Sequence, residues 1–401
     1  MADNKQNKRP NVPPLRFPEF TEPWERKKLS NFTERVTRKN KGQTNLPLTI
    51  SAQYGLVDQI SFFNNKVASA DMSNYYLLKR GEFTYNKSYS SDYPLGAVKR
   101  LDLYDMGALS TLYICFKIAG DINSDYLVHY FESPKWHRGV YEIAGEGARN
   151  HGLLNIAVGD YFETQHYLPC SLKEQEKIAS MLNLIQRRIE VQNKLIEQLE
   201  SLIKGITLQA SKSSDCESVL LSNILTERNE ANTAQHEVCS VSVSQGVVNQ
   251  VEYLGRSFAA KDISHYNVVH YGDIIYTKSP TGDFPYGIVK RSHQQNHVAV
   301  SPLYGVYIPT SNDIGCFLHY YFCNAVSAKN YLHKLIQKGA KNTINITNQR
   351  FLENTINLPK AEKLAQVVAL LNCLSAKKVH AENLLALLNK QKQFFLNQMF
   401  I

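Results

Sequence analysis

Three short stretches of this 401-residue chain carry side chains suited to gripping a polyanion, and each occurs twice. The first is Lys87-Ser88-Tyr89-Ser90-Ser91, followed by Asp92, with its counterpart Lys278-Ser279-Pro280-Thr281-Gly282. The second is the pair Lys99-Arg100, met again as Lys290-Arg291. The third is Gly147-Ala148-Arg149-Asn150-His151, met again as Gly339-Ala340-Lys341-Asn342-Thr343. Lysine and arginine make phosphate contacts that set position, while Ser, Thr, Asn, Arg and Lys can read base edges in a groove. In the first pair of stretches the Lys-Ser step is shared, as a common phosphate grip requires. The next three residues differ, as different base targets require. The dibasic pairs fit either phosphate contact or a solvated strand end. In the third pair glycine lets the backbone approach a ligand closely; the competing reading is a tight turn whose Asn caps its own backbone.

Residue types that would do covalent or metal chemistry are not arranged for it. There is no GxxxxGK[ST] phosphate loop and no HExxH. The twelve histidines are dispersed; His265, His270, His293 and His297 fall in one half of the chain without matching positions in the other, and read as surface or core residues. Glu174 and Glu176 stand at the start of a helical pattern, where the helix dipole favours negative charge, which accounts for them without catalysis. The seven cysteines are scattered and none forms a CxxC pair, which argues against a disulfide framework or zinc site and fits a reducing cytoplasm. The expectation is a chain with no catalytic site and no metal.

The elements that must position the basic stretches are themselves duplicated. Sliding the sequence against itself by 191 residues aligns Ser51–Arg100 with Ser242–Arg291 without a gap. Gly81-Glu82-Phe83-Thr84-Tyr85 meets Gly272-Asp273-Ile274-Ile275-Tyr276, and Gly96-Ala97-Val98-Lys99-Arg100 meets Gly287-Ile288-Val289-Lys290-Arg291. The match continues with slips of one or two residues: Leu29-Ser30-Asn31 with Leu221-Ser222-Asn223, and Leu168-Pro169 with Leu358-Pro359. Each half opens with a mostly strand-like region punctuated by Gly, Pro, Asp and Asn. Each then takes a Leu-Pro step into a long helix pattern.

In the first helix Ile178, Leu182, Ile185, Ile189, Ile196, Leu199, Ile203 and Ile206 alternate in steps of four and three, with Gln192 filling the missing place. In the second the seam runs Val367, Leu371, Leu374, Leu385, Leu388 and Phe395, with Lys378, Ala381 and Lys392 between. This is the heptad pattern of a coiled coil, in which a polar seam residue costs stability but fixes register. A helix of about 38 residues spans roughly 57 Å, close to the length of about 17 base pairs of duplex. The divisions expected are 15–170 and 216–360 for two α/β domains, with 171–212 and 361–401 for two long helices packed antiparallel. Hydrophobic residues make up 43% of the chain, enough for real cores, and the formal charge of +9 suits a polyanionic partner. No apolar run approaches a transmembrane helix, and Met1 to Pro14 is polar and basic, unlike a secretory signal.

The opening Leu15-Arg16-Phe17-Pro18-Glu19-Phe20 with Trp24, and Leu168-Pro169 leading into Glu174-Gln175-Glu176-Lys177-Ile178-Ala179, resemble the specificity (S) subunits of type I restriction–modification enzymes. The duplicated plan covers essentially the whole chain. The second copy departs at Cys216, which aligns with Trp24, and at Ala361-Glu362-Lys363-Leu364-Ala365-Gln366, which lacks the Glu-Gln pair. The resemblance implies two tandem target recognition domains of α/β character, separated by an antiparallel helical spacer that carries the docking surface for partners. It implies a non-catalytic chain that reads a bipartite, asymmetric site on double-stranded DNA for two modification subunits, an adenine methyltransferase. Restriction subunits would add a translocating nuclease. S-adenosylmethionine, ATP and magnesium would belong to those partners, and this chain lacks the Asn-Pro-Pro-aromatic tetrapeptide of such methyltransferases. It also implies that the 147–151 and 339–343 loops face DNA. The alternative expectation is a coiled-coil scaffold that assembles proteins without touching DNA.

Overall fold

The structure, a computed structural model, describes residues 11–51, 54–65, 68–90, 93–144, 154–338 and 344–401. The chain divides into two compact units, Met1–Val191 with Leu384–Ile401, and Gln192–Asn383. Each unit contains one strand-rich region and part of both long helices, Leu172–Lys212 and Ala361–Gln398.

The heart of each unit is a four-stranded antiparallel sheet with the same strand order. In the first unit it runs Thr33–Arg35, Ile114–Ile118, Phe83–Asn86, Ala97–Arg100. In the second it runs Leu225–Glu227, Gly305–Pro309, Ile274–Tyr276, Val289–Arg291. Register is preserved as well as order: Phe83 lies opposite Arg100 and Phe116, and Ile274 lies opposite Arg291 and Tyr307. The domains are therefore mixed α/β with antiparallel sheets.

Successive strand residues point to opposite faces, and both faces are used. Phe83, Tyr85, Ile114 and Phe116 enter the main core of the first unit, whereas Cys115 enters a smaller core with Leu48, Leu56, Leu78 and Leu109. In the second unit Ile274, Tyr276 and Tyr307 enter the main core, and Ile275 and Val306 join Cys239, Val247, Val269 and Val300 in the smaller one. The smaller cores correspond at the 191-residue offset: Leu48 with Cys239, Leu56 with Val247, Leu78 with Val269, Leu109 with Val300, and Cys115 with Val306. A sheet covered on both faces reads as continuous apolar runs instead of clean alternation, which is why these strands resemble short apolar blocks in the sequence.

Polar clamps repeat too. Arg38 donates to both oxygens of Glu82 (2.9 and 2.8 Å), which also accepts the Lys79 amide. Arg228 donates to both oxygens of Asp273 (2.7 and 3.0 Å), which accepts the His270 amide. Arg38 uses Nη2 alone, whereas Arg228 uses Nε and Nη2, a bidentate pair that fixes direction as well as distance.

The long helices bury much of the expected seam, with Ile196, Ile203, Ile206, Leu374, Leu385 and Phe395 half-buried. Ile178, Leu182, Ile185, Ile189, Gln192 and Leu199 are buried on the first, and Val367, Leu371, Ala381 and Leu388 on the second. The packing is antiparallel within each unit. In the first, Ile185 and Ile189 meet Leu388, and the Lys392 ammonium donates to Gln186 (2.8 Å). In the second, the Gln192 amide donates to the Ala381 carbonyl (3.0 Å) and Lys378 pairs with Glu200 (2.8 Å).

Candidate nucleic-acid interface

The first basic stretch sits on the hairpin joining the last two strands of each four-stranded sheet, and one frame holds it in both units. The Tyr85 hydroxyl donates to the Leu95 carbonyl, and the Tyr276 hydroxyl donates to the Tyr286 carbonyl, each at 2.8 Å. The residue after each carbonyl is a glycine in left-handed conformation, Gly96 at φ +78° and Gly287 at φ +99°. A Cβ would lie 2.1 Å from the Asn86 carbonyl oxygen at Gly96, and 1.8 Å from that of Thr277 at Gly287. Only glycine fits. Each tyrosine ring is clamped by a stacked aromatic, Tyr161 at 4.6 Å on Tyr85 and Phe351 at 4.7 Å on Tyr276. Burial holds both phenols well above their ordinary range, so they act as neutral donors.

What this frame presents differs between the units. In the first, Lys87 is half-buried; its ammonium donates to the Ile156 carbonyl (3.3 Å) and its carbonyl accepts from the Leu154 amide (2.9 Å). Ser88, Tyr89 and Ser90 are exposed, Tyr89 at 55%. In the second, Lys278 is half-buried, which lowers its pKa, while Glu227 opposes that shift. Ser279 and Thr281 are exposed, and Thr281 exchanges backbone hydrogen bonds with Phe284 (3.1 and 2.9 Å). Ser91, and the third stretch at Arg149, Asn150, His151, Lys341, Asn342 and Thr343, lie outside the described residues. In the second unit the strands Gln337–Lys338 and Ile344–Asn345 pair antiparallel on either side of residues 339–343.

The dibasic pairs are neither free cations nor a solvated strand end. Lys99 is mostly enclosed and lies 3.7 Å from Glu132, and Arg100 pairs with Asp102 (2.7 Å) and Asp125 (2.8 Å) while donating to Ser124 (2.7 Å). Burial lowers the Lys99 pKa, with Glu132 opposing and Lys392 adding to the shift. Glu132 also pairs with Lys392 (2.8 Å); burial raises its pKa, but His129, Lys392 and Lys99 outweigh that and hold it well below the ordinary range. Lys99, Glu132 and Lys392 line a cavity of about 410 Å³ with Tyr93, Trp136 and His137. Lys290 and Arg291 are buried. The physical reason is the helix that packs across this strand in each unit, Ser124–Glu132 in the first and Asn312–Cys323 in the second.

One cluster escaped the sequence reading. Glu174 is no surface carboxylate at a helix end; it is buried and accepts from Arg16 through both oxygens (2.7 and 2.8 Å) and from the Trp24 indole (3.1 Å). Gln175 beside it donates to the Pro169 carbonyl (3.0 Å) and accepts from the Asn123 amide (2.9 Å). Lys177 pairs with Glu19 and sits 4.6 Å from the Phe17 ring centre. The opening motif and the helix-start motif are thus two halves of one clasp. In the second unit Cys216 and Leu364 stand where Trp24 and Glu174 stand, and no carboxylate needs partners there. The signal was that both members of the pair are missing from the second copy together.

The long helices also leave apolar side chains exposed. Leu184 and Val191 in the first unit are seven residues apart and share a face; Leu195 and Leu202 in the second do likewise. Among the described residues no three His, Cys, Asp or Glu side chains are grouped to hold a metal ion, and no helix is long and apolar enough to cross a membrane.

No family model matches the sequence, and no curated protein matches it. Solved structures do match the fold. The type I restriction–modification S subunit from M. genitalium aligns with a TM-score of 0.58 at 12% identity, over 97% of this chain and 99% of that one. A chain from work on the complex assembly and conformational transition of a type I R-M system aligns with a TM-score of 0.52 at 12% identity, over 95% and 99%. Two units of equivalent register, each with part of both long helices, thus give this chain the fold of a type I restriction–modification S subunit over nearly its whole length.

Proposed function

We propose that the chain is a non-catalytic specificity subunit of a type I restriction–modification system, working in the cytoplasm on double-stranded DNA. The observation that carries this reading is the pair of hairpins. One Tyr–Gly frame at one register holds Lys87-Ser88-Tyr89-Ser90 in one unit and Lys278-Ser279-Pro280-Thr281 in the other. A shared frame with different tips suits two readers of different half-sites, and hence an asymmetric target. In this reading 15–170 and 216–360 are the recognition domains, and 171–212 and 361–401 are the helices that set the spacer. Lys87 and Lys278 grip phosphate, and the exposed tips with Ser91 meet base edges. The 147–151 and 339–343 loops supply Arg149, Asn150, His151, Lys341, Asn342 and Thr343. Lys99 and Arg100, neutralised inside the domain, tie the sheet to its covering helix.

The exposed Leu184, Val191, Leu195 and Leu202 fit docking of partner subunits along the first long helix. Two modification subunits would bring S-adenosylmethionine, and restriction subunits would bring ATP and magnesium chemistry. Co-expression with the modification subunit, followed by mapping of methyladenine on genomic DNA, tests the reading. The expected result is one split, asymmetric motif that disappears when this chain is omitted. Replacing Tyr89 and Ser90 by Pro and Thr is expected to alter one half of that motif and spare the other. A complex that forms but leaves methylation unchanged overturns the reading in favour of a protein-assembling scaffold.

A further inference from the structure

The repeat keeps its dibasic pair but not the counter-charges. At the 191-residue offset Asp102 becomes His293, Ser124 becomes Gly315, Asp125 becomes Cys316 and Glu132 becomes Cys323. These are the partners that Arg100 and Lys99 use in the first unit. Lys290 and Arg291 are nevertheless 5% and 3% exposed. Among the described residues no carboxylate pairs with either, and residues 339–343 of this unit contain none.

The groups that face them are a thiol, two imidazoles, an amide and a phenol ring, with no carboxylate among them. Lys290 donates to the Cys323 sulfur (3.2 Å), which lies 3.7 Å from His319 Nε2. Arg291 Nη2 donates to Asn312 (2.7 Å), Nη1 lies 3.5 Å from His293 Nδ1, and the guanidinium sits 5.0 Å from the Tyr271 ring centre. Burial, then Lys290 and Arg291, push the His319 pKa down to about 3, so this imidazole stays neutral. Arg291 Nε is buried and has no partner at all. It faces Gly315, where a Cβ would lie 3.4 Å from it and where the first unit carries the Ser124 hydroxymethyl. Two buried cations without a counter-charge are strongly unfavourable.

We propose that Lys290 and Arg291 hold a phosphate oxyanion, which supplies in the second unit the negative charge that Asp102, Asp125 and Glu132 supply in the first. The unpartnered Arg291 Nε can donate to one oxygen, and lysine acts as a point charge. The phosphate has two sources, a free ion or a backbone phosphate of bound DNA.

Hydrogen exchange on the full chain, in inorganic phosphate against chloride at equal ionic strength, tests the site. Phosphate at ten times its Kd is expected to slow exchange about tenfold in strand 289–291 and helix 312–323, and to leave 97–100 and 124–132 unchanged. The double variant His293→Asp, Cys323→Glu restores first-unit carboxylates and is expected to lose the response, as is Lys290→Met. Equal exchange in phosphate and chloride overturns the proposal, as does a full response in both variants. If the double variant also lowers the salt slope of DNA binding by about 0.9, the phosphate comes from DNA. An unchanged slope with a lost phosphate response assigns a free ion. A chain that binds no DNA still shows the phosphate response, so failure of the DNA reading and failure of this site are distinguished.

Discussion

Single residues decide whether the hairpins keep their frame. Gly96→Ala and Gly287→Ala would each place a methyl group against a carbonyl oxygen at a positive φ. The expected loss is about 1–3 kcal/mol from backbone strain alone, with more from the clash, measured as a shift of the denaturant midpoint. Alanine at Gly205, which has open space around it, is expected to be tolerated. Glu174 is the other decisive residue. Glu174→Leu would leave Arg16 beside a buried apolar group and is expected to cost about 3–5 kcal/mol. Adding Arg16→Met to that variant is expected to recover much of the loss, because the second unit already does without the carboxylate. A double-mutant cycle reads this coupling directly. The matched glycines and tyrosines were legible by alignment of the repeat. The partners of Lys99, Arg100, Lys290 and Arg291 were not, because most come from a helix two strands further along the chain whose facing side chains no local pattern specifies.

At the scale of elements, the heptad seam translated almost directly into burial. Four-and-three spacing keeps one face turned inward whatever lies opposite. The second helix is less regular, and Leu364, Val368, Leu396, Met399 and Phe400 join the cores beyond the expected seam. These residues lie where the strand-rich region of each unit packs on the helix ends, a surface no helical period describes. Gln192 is buried in the seam with its amide on the Ala381 carbonyl. Gln192→Leu is expected to raise the unfolding free energy by on the order of 1 kcal/mol, because the buried amide's hydrogen bond is modest in net terms. It is also expected to weaken register, seen as heterogeneous cross-links between cysteines placed along the two helices.

For the molecule as a whole, acid should be destabilising well above the carboxylate range. Burial pushes the His166 pKa in the first unit down to about 3, and His319 in the second down to about 3. Both have an ordinary value of 6.5. A histidine whose folded pKa lies below its unfolded one binds its proton first in the unfolded chain. Stability is therefore complete above about pH 6.5 and falls as pH drops from there toward 3, where the folded state protonates too. Glu132, held low by His129, Lys392 and Lys99 against its burial, adds a further loss below about pH 4.5. The unfolding midpoint is expected to fall steadily between pH 6.5 and 4. A midpoint that is flat over that range would contradict the burial of these rings. His166→Phe is expected to reduce the slope.

The duplication, the strand-rich halves, the Leu-Pro steps and the helix seams are properties of order along the chain, and the sequence by itself determined them. So did the likeness of the two hairpins, since a common register follows from a gapless match. Tertiary structure alone decided which face of each strand met which core, that Glu174 joins the two resembling motifs, and that the dibasic pairs point inward. The reason is physical. Periodicity states which residues want burial, but whether a charge is buried depends on counter-charges brought from elsewhere in the fold. The two copies share the first and differ in the second.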